Sequence, residues 1–386
     1  MAHRQTGGGV PERTRRRLTV AAVVLGVVTL AGMIALRPGG GPRPDLTELG
    51  VYRDVFAAEV VAAADQPCRG SAPEENIVCR RVTFELREGP DAGKRTSVDF
   101  PVDAAVPPLA PGDGVVLGHT AGAEPGFEYS FVDRQRRPVL VWLALAFAAA
   151  VIALGRMRGL AALAGLAASL LVLLAFILPA IVDGRSPVLV AVVGAAAIAY
   201  LALYLAHGFR PMTTVALLGT LTSLALTALL AEAFVTMAEL TGFASEEATI
   251  VRVGAAQIDL AGLTLAGVVI GALGAIDDVT VTQASAVWEI RDADPKMPSR
   301  DLLRAGLRIG RDHVASTVNT LALAYAGASM PLLVLFVLSQ QPLGAIANGE
   351  TVATEIVRTL VGSIGLVASV PITTWLAVRT ATPRKR

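Results

Sequence analysis

Two adjacent carboxylates stand deep inside an apolar stretch. Asp277 and Asp278 follow Gly262-Leu-Thr264-Leu-Ala-Gly267-Val-Val-Ile-Gly271-Ala-Leu-Gly274-Ala-Ile and precede Val-Thr280-Val-Thr282-Gln283-Ala-Ser285-Ala-Val-Trp288-Glu289. At helical spacing Thr264, Gly267, Gly271, Gly274, Asp278, Thr282 and Ser285 fall on one stripe. Leu265, Val268, Val269, Ala272, Ile276, Val279 and Val287 take the other side. A polar stripe in lipid is expected to face a helix bundle or a water cavity, because unsatisfied polar groups are costly there. A carboxylate at that depth costs ~2.5–3.5 kcal/mol on insertion scales, so Asp278 is a candidate functional residue by default. Three readings stay open for it: a protonatable or cation-binding site, a structural hydrogen bond to a neighbour such as Asn319, or a position near the inner interface beside Arg291. Asp277 lies about 100° away on the wheel and cannot centre on the same face.

The partners expected for this stripe come next in the chain. A basic amphipathic stretch, with Leu302, Leu303, Leu307 and Ile309 among Arg300, Arg304, Arg308 and Arg311, is suited to lie along the inner membrane surface. It leads into Ser316, Thr317, Asn319 and Thr320, which are placed to meet Asp278 if consecutive spans are antiparallel neighbours. Asp278, Thr282, Asn319 and Thr320 are therefore the candidate proton- or ion-coupling set. Gly267, Gly271 and Gly274 are candidates for close helix packing. Pro331 is the candidate kink. A second stripe, Thr213, Ala216, Thr220, Ser223 and Thr227, reads as packing.

The elements that position these residues are membrane spans. The chain has 386 residues, 53% hydrophobic and only 17% charged, with mean hydropathy +0.59. That excludes a disordered chain and disfavours an ordinary soluble enzyme. Eight runs are long and apolar enough to span: 18–36, 139–155, 159–181, 187–206, 212–235, 259–288, 314–338 and 356–378. The first follows Arg13, Arg15, Arg16 and Arg17 and reads as an uncleaved anchor rather than a signal peptide. With the N-terminus inside, the inner segments collect Arg4 and those arginines, then Arg156, Arg158 and Arg210. They also hold the basic run from Arg291 to Arg311, and Arg379, Arg384, Lys385 and Arg386. The short outer loops hold only Arg185, Arg252 and Arg358. The positive-inside rule then puts both termini in the cytoplasm.

Residues 38–137 read as a separate outer unit behind the linker Pro38–Pro44. Five β-type runs (56–63, 78–86, 95–100, 114–119 and 128–132) are separated by turns at Gly89–Gly93 and Pro111–Gly114. They suggest a small barrel of the OB or SH3-like sort. Cys68 and Cys79, eleven apart, suit a disulfide outside the cytoplasm, with two free thiols as the alternative. The unit carries more acids than bases, so it reads either as a solvated face or as a surface for an envelope partner.

The expected architecture is an all-α polytopic membrane bundle of about eight transmembrane helices with an extracytoplasmic β-barrel-like domain between helices 1 and 2. Its parts are a basic N-terminus (1–17), an anchor (18–37), the β domain (38–137), a seven-helix domain (138–379) and a basic tail (380–386). Net charge of +1 argues against nucleic-acid binding. Four scattered histidines offer no zinc spacing, so no metal site and no cofactor are expected. There is no P-loop, H-E-x-x-H or G-x-S-x-G, and Gly-Ala-Ile-Asp277 is not Gly-x-Gly-Asp. An enzyme is therefore not expected. The remaining classes are a proton- or ion-coupled transporter and a membrane-anchored assembly or sensing protein. The lipid bilayer is the one certain partner of either, and the oligomeric state is open.

Further motifs point to a family. Gly271-Ala-Leu-Gly274-Ala-Ile-Asp277-Asp278-Val, Ala284-Ser285, Ile309-Gly310-Arg311-Asp312, Asn319-Thr320-Leu and Ala324-Tyr325-Ala-Gly327-Ala-Ser329-Met-Pro331-Leu stand in order. Gly242-Phe243, Glu246-Glu247-Ala248 and Gln257-Ile258-Asp259-Leu260 fit the same pattern. Together they resemble the YibE/F-like bacterial membrane protein family, over about 140–386. The resemblance implies a multi-spanning bacterial plasma-membrane protein and no particular chemistry. Its pattern has one aspartate before the valine, which Asp278 matches and Asp277 exceeds. A fainter analogy is with the proton-coupled helices of SecD/SecF and related resistance-nodulation-division transporters, without their internal duplication.

Overall fold

The computed structural model describes residues 11–41, 44, 46–68, 78–101, 108–124 and 126–381. Of the basic residues used to orient the chain, Arg4, Arg384, Lys385 and Arg386 lie outside these, as does most of the basic tail. By Cα proximity the chain divides into two compact units, residues 43–150 and the remainder.

The first unit holds a five-stranded antiparallel sheet. Its strands are β1 (Asp54–Pro67), β2 (Val78–Leu86), β3 (Arg95–Pro101), β4 (Gly114–His119) and β5 (Tyr129–Arg134), in the order β3-β2-β1-β4-β5. Inward residues alternate along β1 and β2 as a half-buried strand requires. Ala58, Val60, Val82, Phe84, Leu86, Val115 and Leu117 form the core. Register shifts at Val60/Ala62 and Val116/Leu117 bend the sheet. The curl brings edge strands β3 and β5 together, with Phe100 edge-on to Phe131 at 5.6 Å. Gly89 turns the chain between β2 and β3 at φ +95°, where a Cβ would strike the Phe56 ring. Cys68 and Cys79 are joined by a disulfide with their Cα atoms 4.9 Å apart.

The helices are α1 (Glu12–Ala35), α2 (Arg137–Gly155), α3 (Met157–Val172), α4 (Leu178–Val182), α5 (Pro187–His207), α6 (Pro211–Met237), α7 (Glu246–Gly254), α8 (Leu260–Ala293), α9 (Ser299–Ala328), α10 (Met330–Ser339), α11 (Leu343–Asn348) and α12 (Glu350–Thr380). A π-helical turn, Leu173–Ile177, joins α3 to α4. Among the described residues seven helices are long and apolar enough to cross a membrane, or eight if the bent pair α9–α10 is one span. Proline opens α5 and α6, where its missing N–H costs nothing. Asp259 caps α8 by accepting from the Gly262 N–H at 3.0 Å.

In the second unit α6, α8 and α12 pack against one another at the centre. Leu217, Leu224, Ile276, Val279, Leu366 and Val370 are buried between them. Glycines set their closeness. A Cβ at Gly219 would fall on Thr373 Oγ1, and one at Gly365 on Thr227 Oγ1. The hydroxyl stripe of α6, Thr213, Thr220, Ser223 and Thr227, is buried in this packing.

The amphipathic stretch requires a correction. It is not a separate surface helix but the first part of α9, continuous from Ser299 to Ala328. Leu302, Gly306 and Gly310 are buried, and Gly310 fits against Val370 of α12 and Gln283 of α8. These contacts align the segment with the bundle. After residue 310 one face of α9 becomes exposed, while Val314 and Val318 still pack on the central core and Leu321 on Gly362 of α12. The chain then bends by 67° into α10, whose first turn contains Pro331.

Candidate functional site

The polar stripe of α8 does not face the centre. Leu265, Val268, Val269, Ala272, Ile276, Val279 and Val287 are buried, whereas Gly271, Gly274, Asp278 and Thr282 are exposed. Of the two surroundings expected for the stripe, the centre of the bundle is taken by the apolar side instead. α6 and α12 close over the apolar face of α8, and the stripe lies on an open face beside α9. Of the stripe glycines only Gly271 is a close-packing position. A Cβ at Gly274 would meet nothing within 4 Å, and at Gly267 only Arg358 Nη2 at 3.6 Å. At Gly271 it would meet the Tyr325 hydroxyl at 2.8 Å. Close approach around α8 also requires glycine at Gly306 and Gly310 of α9, and at Gly219 and Gly365.

Asn319 and Thr320 do not pair with Asp278. Asn319 is exposed, and Thr320 donates to the Ser316 carbonyl of its own helix at 3.0 Å. Consecutive antiparallel helices do meet, but six residues earlier. His313 Nε2 lies 3.9 Å from Asp278 Oδ2. The imidazole side chain is 36% exposed and the carboxylate 73%. His313 Nε2 is itself covered and has no hydrogen-bond partner among the described residues. At 3.9 Å the pair is outside hydrogen-bond distance and one rotamer change from it. Arg291, in the last turn of α8, does not serve Asp278. It is buried and donates to the Met297 carbonyl at 2.6 Å.

Asp277 points the other way, into the bundle. Thr220 Oγ1 lies 3.4 Å from its Oδ1, and the Thr220 and Thr280 hydroxyls are 2.6 Å apart. Thr280 also donates to the Asp277 carbonyl at 3.0 Å. The two carboxylates therefore address different surroundings, one an open face and the other a hydroxyl-lined seam.

A buried amide anchors the contact on the C-terminal side of Asp278. Gln283 Nε2 donates to the Gly306 carbonyl and to Thr374 Oγ1, each at 2.7 Å. This ties α8, α9 and α12 together one to two turns past Asp278. On the other side, near Gly267, Arg358 pairs with Glu355 at 2.8 Å. Sequence reasoning missed His313, Gln283 and Arg358 as members of this region. The signal for His313 and Gln283 was pairing register: counting back along both helices from their connection places His313 level with Asp278.

Among the described residues no group of three or more His, Cys, Asp or Glu is placed to hold a metal ion. The arrangement can exchange a proton between a carboxylate and an imidazole, or attract a cation to the open face. It holds no nucleophile–base–orienter array of the kind covalent catalysis uses. No curated protein and no solved structure matches the chain. The family model described as YibE/F-like protein matches residues 143–383, from α2 through the end of α12, and the chain belongs to that family.

Proposed function

We propose that this protein is a proton- or ion-coupled transporter of the bacterial plasma membrane. Both termini are read as cytoplasmic and the β unit as extracytoplasmic, on the distribution of arginine and lysine between short segments. The β sheet is read as a partly open barrel of the OB sort. β1 pairs with both β2 and β4, so the chain returns after β3 to the far edge of β1, as a simple meander does not.

One observation carries the functional reading: Asp278 and His313 face each other at 3.9 Å midway along two membrane-length helices. A carboxylate kept at that depth is costly unless it is used. Histidine is the side chain whose charge changes most readily near neutral pH. Neither group is needed to hold α8 in place, because the buried contacts of α8 lie on its other face. In this reading Asp278 and His313 hold the coupling ion, and Thr282 lies on the same open face one turn inward.

The test needs no substrate. Proteoliposomes on a solid-supported membrane are given a pH or cation jump, and the displaced charge is recorded. The wild type gives a transient, and Asp278→Asn and His313→Gln each reduce it at least tenfold without changing the unfolding temperature. A wild type that displaces no charge overturns the reading. The alternative then takes its place, an anchored envelope assembly or sensing protein that works through the acidic β unit.

A further inference from the structure

The hydroxyl-lined seam behind Asp277 contains two groups that the fold leaves unserved. Several buried hydroxyls here bond back to their own helix: Thr227 to the Ser223 carbonyl, Ser369 to Leu366 and Thr374 to Val370. Ser223 Oγ and Thr373 Oγ1 do not. Each residue is 0% exposed, and neither oxygen has a partner among the described residues. A buried polar group without a partner is rare and calls for one.

The two groups converge. Gly219 lies against Thr373, and Gly365 against Thr227. The same antiparallel register puts Ser223 opposite Ser369, one turn from Thr373. Helical side chains lean toward the N-terminus of their helix. α6 and α12 run in opposite directions, so Ser223 and Thr373 lean toward each other. Thr220 lies on the turn between them and is shared with Asp277 and Thr280. Four hydroxyls and one carboxylate thus gather within about one helical turn.

We infer that this seam is a binding site for a small monovalent cation, sodium, ligated by Asp277, Thr220, Ser223, Thr280 and Thr373. The donor set is all oxygen and carries one negative charge, which suits a hard ion of single charge. Calcium takes six to eight oxygens with several carboxylates, and magnesium a rigid octahedron; Asp278 faces the open side and supplies neither. The close approach at Gly219 and Gly365 limits the space to a small ion and disfavours potassium. Asp277 is only partly buried and adjoins exposed Asp278, so an ion reaches the seam from the open side. The ion's use in transport rests on the coupled-transporter reading, whereas its binding does not.

The test is the thermal unfolding of the purified full-length protein in detergent, in sodium chloride against choline chloride at equal ionic strength. The midpoint is expected to rise roughly 3–8 °C at sodium a hundredfold above its dissociation constant. Lithium is expected to act and potassium not. Asp277→Asn abolishes the rise, and Asp278→Asn keeps it. Ser223→Ala removes a hydroxyl that holds no partner, leaves the packing in place and weakens sodium about tenfold. A wild-type midpoint indifferent to sodium overturns the proposal, as water then serves the hydroxyls. A potassium response equal to that of sodium overturns it too. So does a sodium affinity unchanged in Ser223→Ala, which decides the matter alone if Asp277→Asn does not fold. Sodium binding with no charge displacement would refute transport and keep the site; displacement without sodium binding would do the reverse.

Discussion

The packing of α6 against α12 makes a sharp prediction at Gly365. A Cβ there would fall on Thr227 Oγ1, with Thr227 Cβ at 3.2 Å and Ile276 Cδ1 at 3.5 Å. Rotating Thr227 about χ1 moves the hydroxyl but not its Cβ, and the hydroxyl gives up its bond to the Ser223 carbonyl at 2.8 Å. Gly365→Ala must therefore push the helices apart. Overpacking costs about 1–3 kcal/mol, and the gain in helix propensity offsets up to about 1 kcal/mol. The net loss is roughly 1–2 kcal/mol. At about 2–4 °C per kcal/mol, the midpoint falls by roughly 2–8 °C. The assay is tryptophan-fluorescence unfolding of the full chain in one detergent. The partner change Thr227→Ala removes the hydroxyl and leaves only the Cβ at 3.2 Å, so the double variant recovers most of the loss and the coupling is about 1 kcal/mol. Gly274→Ala is the contrast: with nothing within 4 Å, it melts at or above the wild-type temperature. A Gly365→Ala protein as stable as the wild type refutes the reasoning, as does a loss that Thr227→Ala fails to relieve.

Two further outcomes follow from single contacts. Gln283→Leu takes away the amide that joins the Gly306 carbonyl and Thr374 Oγ1 and leaves Thr374 with only its own-helix bond. The expected loss is about 1–3 kcal/mol, read as a lower unfolding midpoint and faster hydrogen exchange in the first half of α9; unchanged exchange there would contradict the clamp. In the β unit, burial and then the hydrogen bond to Asp91 push the Tyr129 hydroxyl up to about 12. The folded form thus favours neutral tyrosine. Its contribution is complete below pH 10 and lost as pH rises toward 12. Hydrogen exchange in β4 and β5 should accelerate across that window in the wild type and much less in Tyr129→Phe. Equal acceleration in both would assign the alkaline loss elsewhere.

How much of this was legible in the sequence differs by element. The five strands were, because alternation such as Arg81-Val-Thr83-Phe84-Glu85-Leu86 together with glycine turns defines both the strand and its buried face. In water, the buried face of a strand is the apolar one. The helices were legible as elements, since length and hydropathy are enough for that. What failed was the direction each helix faces. The wheel correctly separated Asp277 from Asp278 and the glycine stripe from the apolar side of α8, but it carries no information on which side meets the bundle. In lipid no hydrophobic force draws apolar faces together, so packing goes to whichever surfaces fit. Where α6 and α12 meet the apolar face of α8, Thr227, Ser369 and Thr374 return their hydroxyls to carbonyls of their own helix. Such a residue is polar in sequence and nearly apolar in effect. The same rule exposes its exceptions: a buried hydroxyl on these helices that does not bond to its own carbonyl has been left available for something else. Ser223 and Thr373 are two such exceptions, and they lie within a turn of the carboxylate that the sequence pattern had set aside.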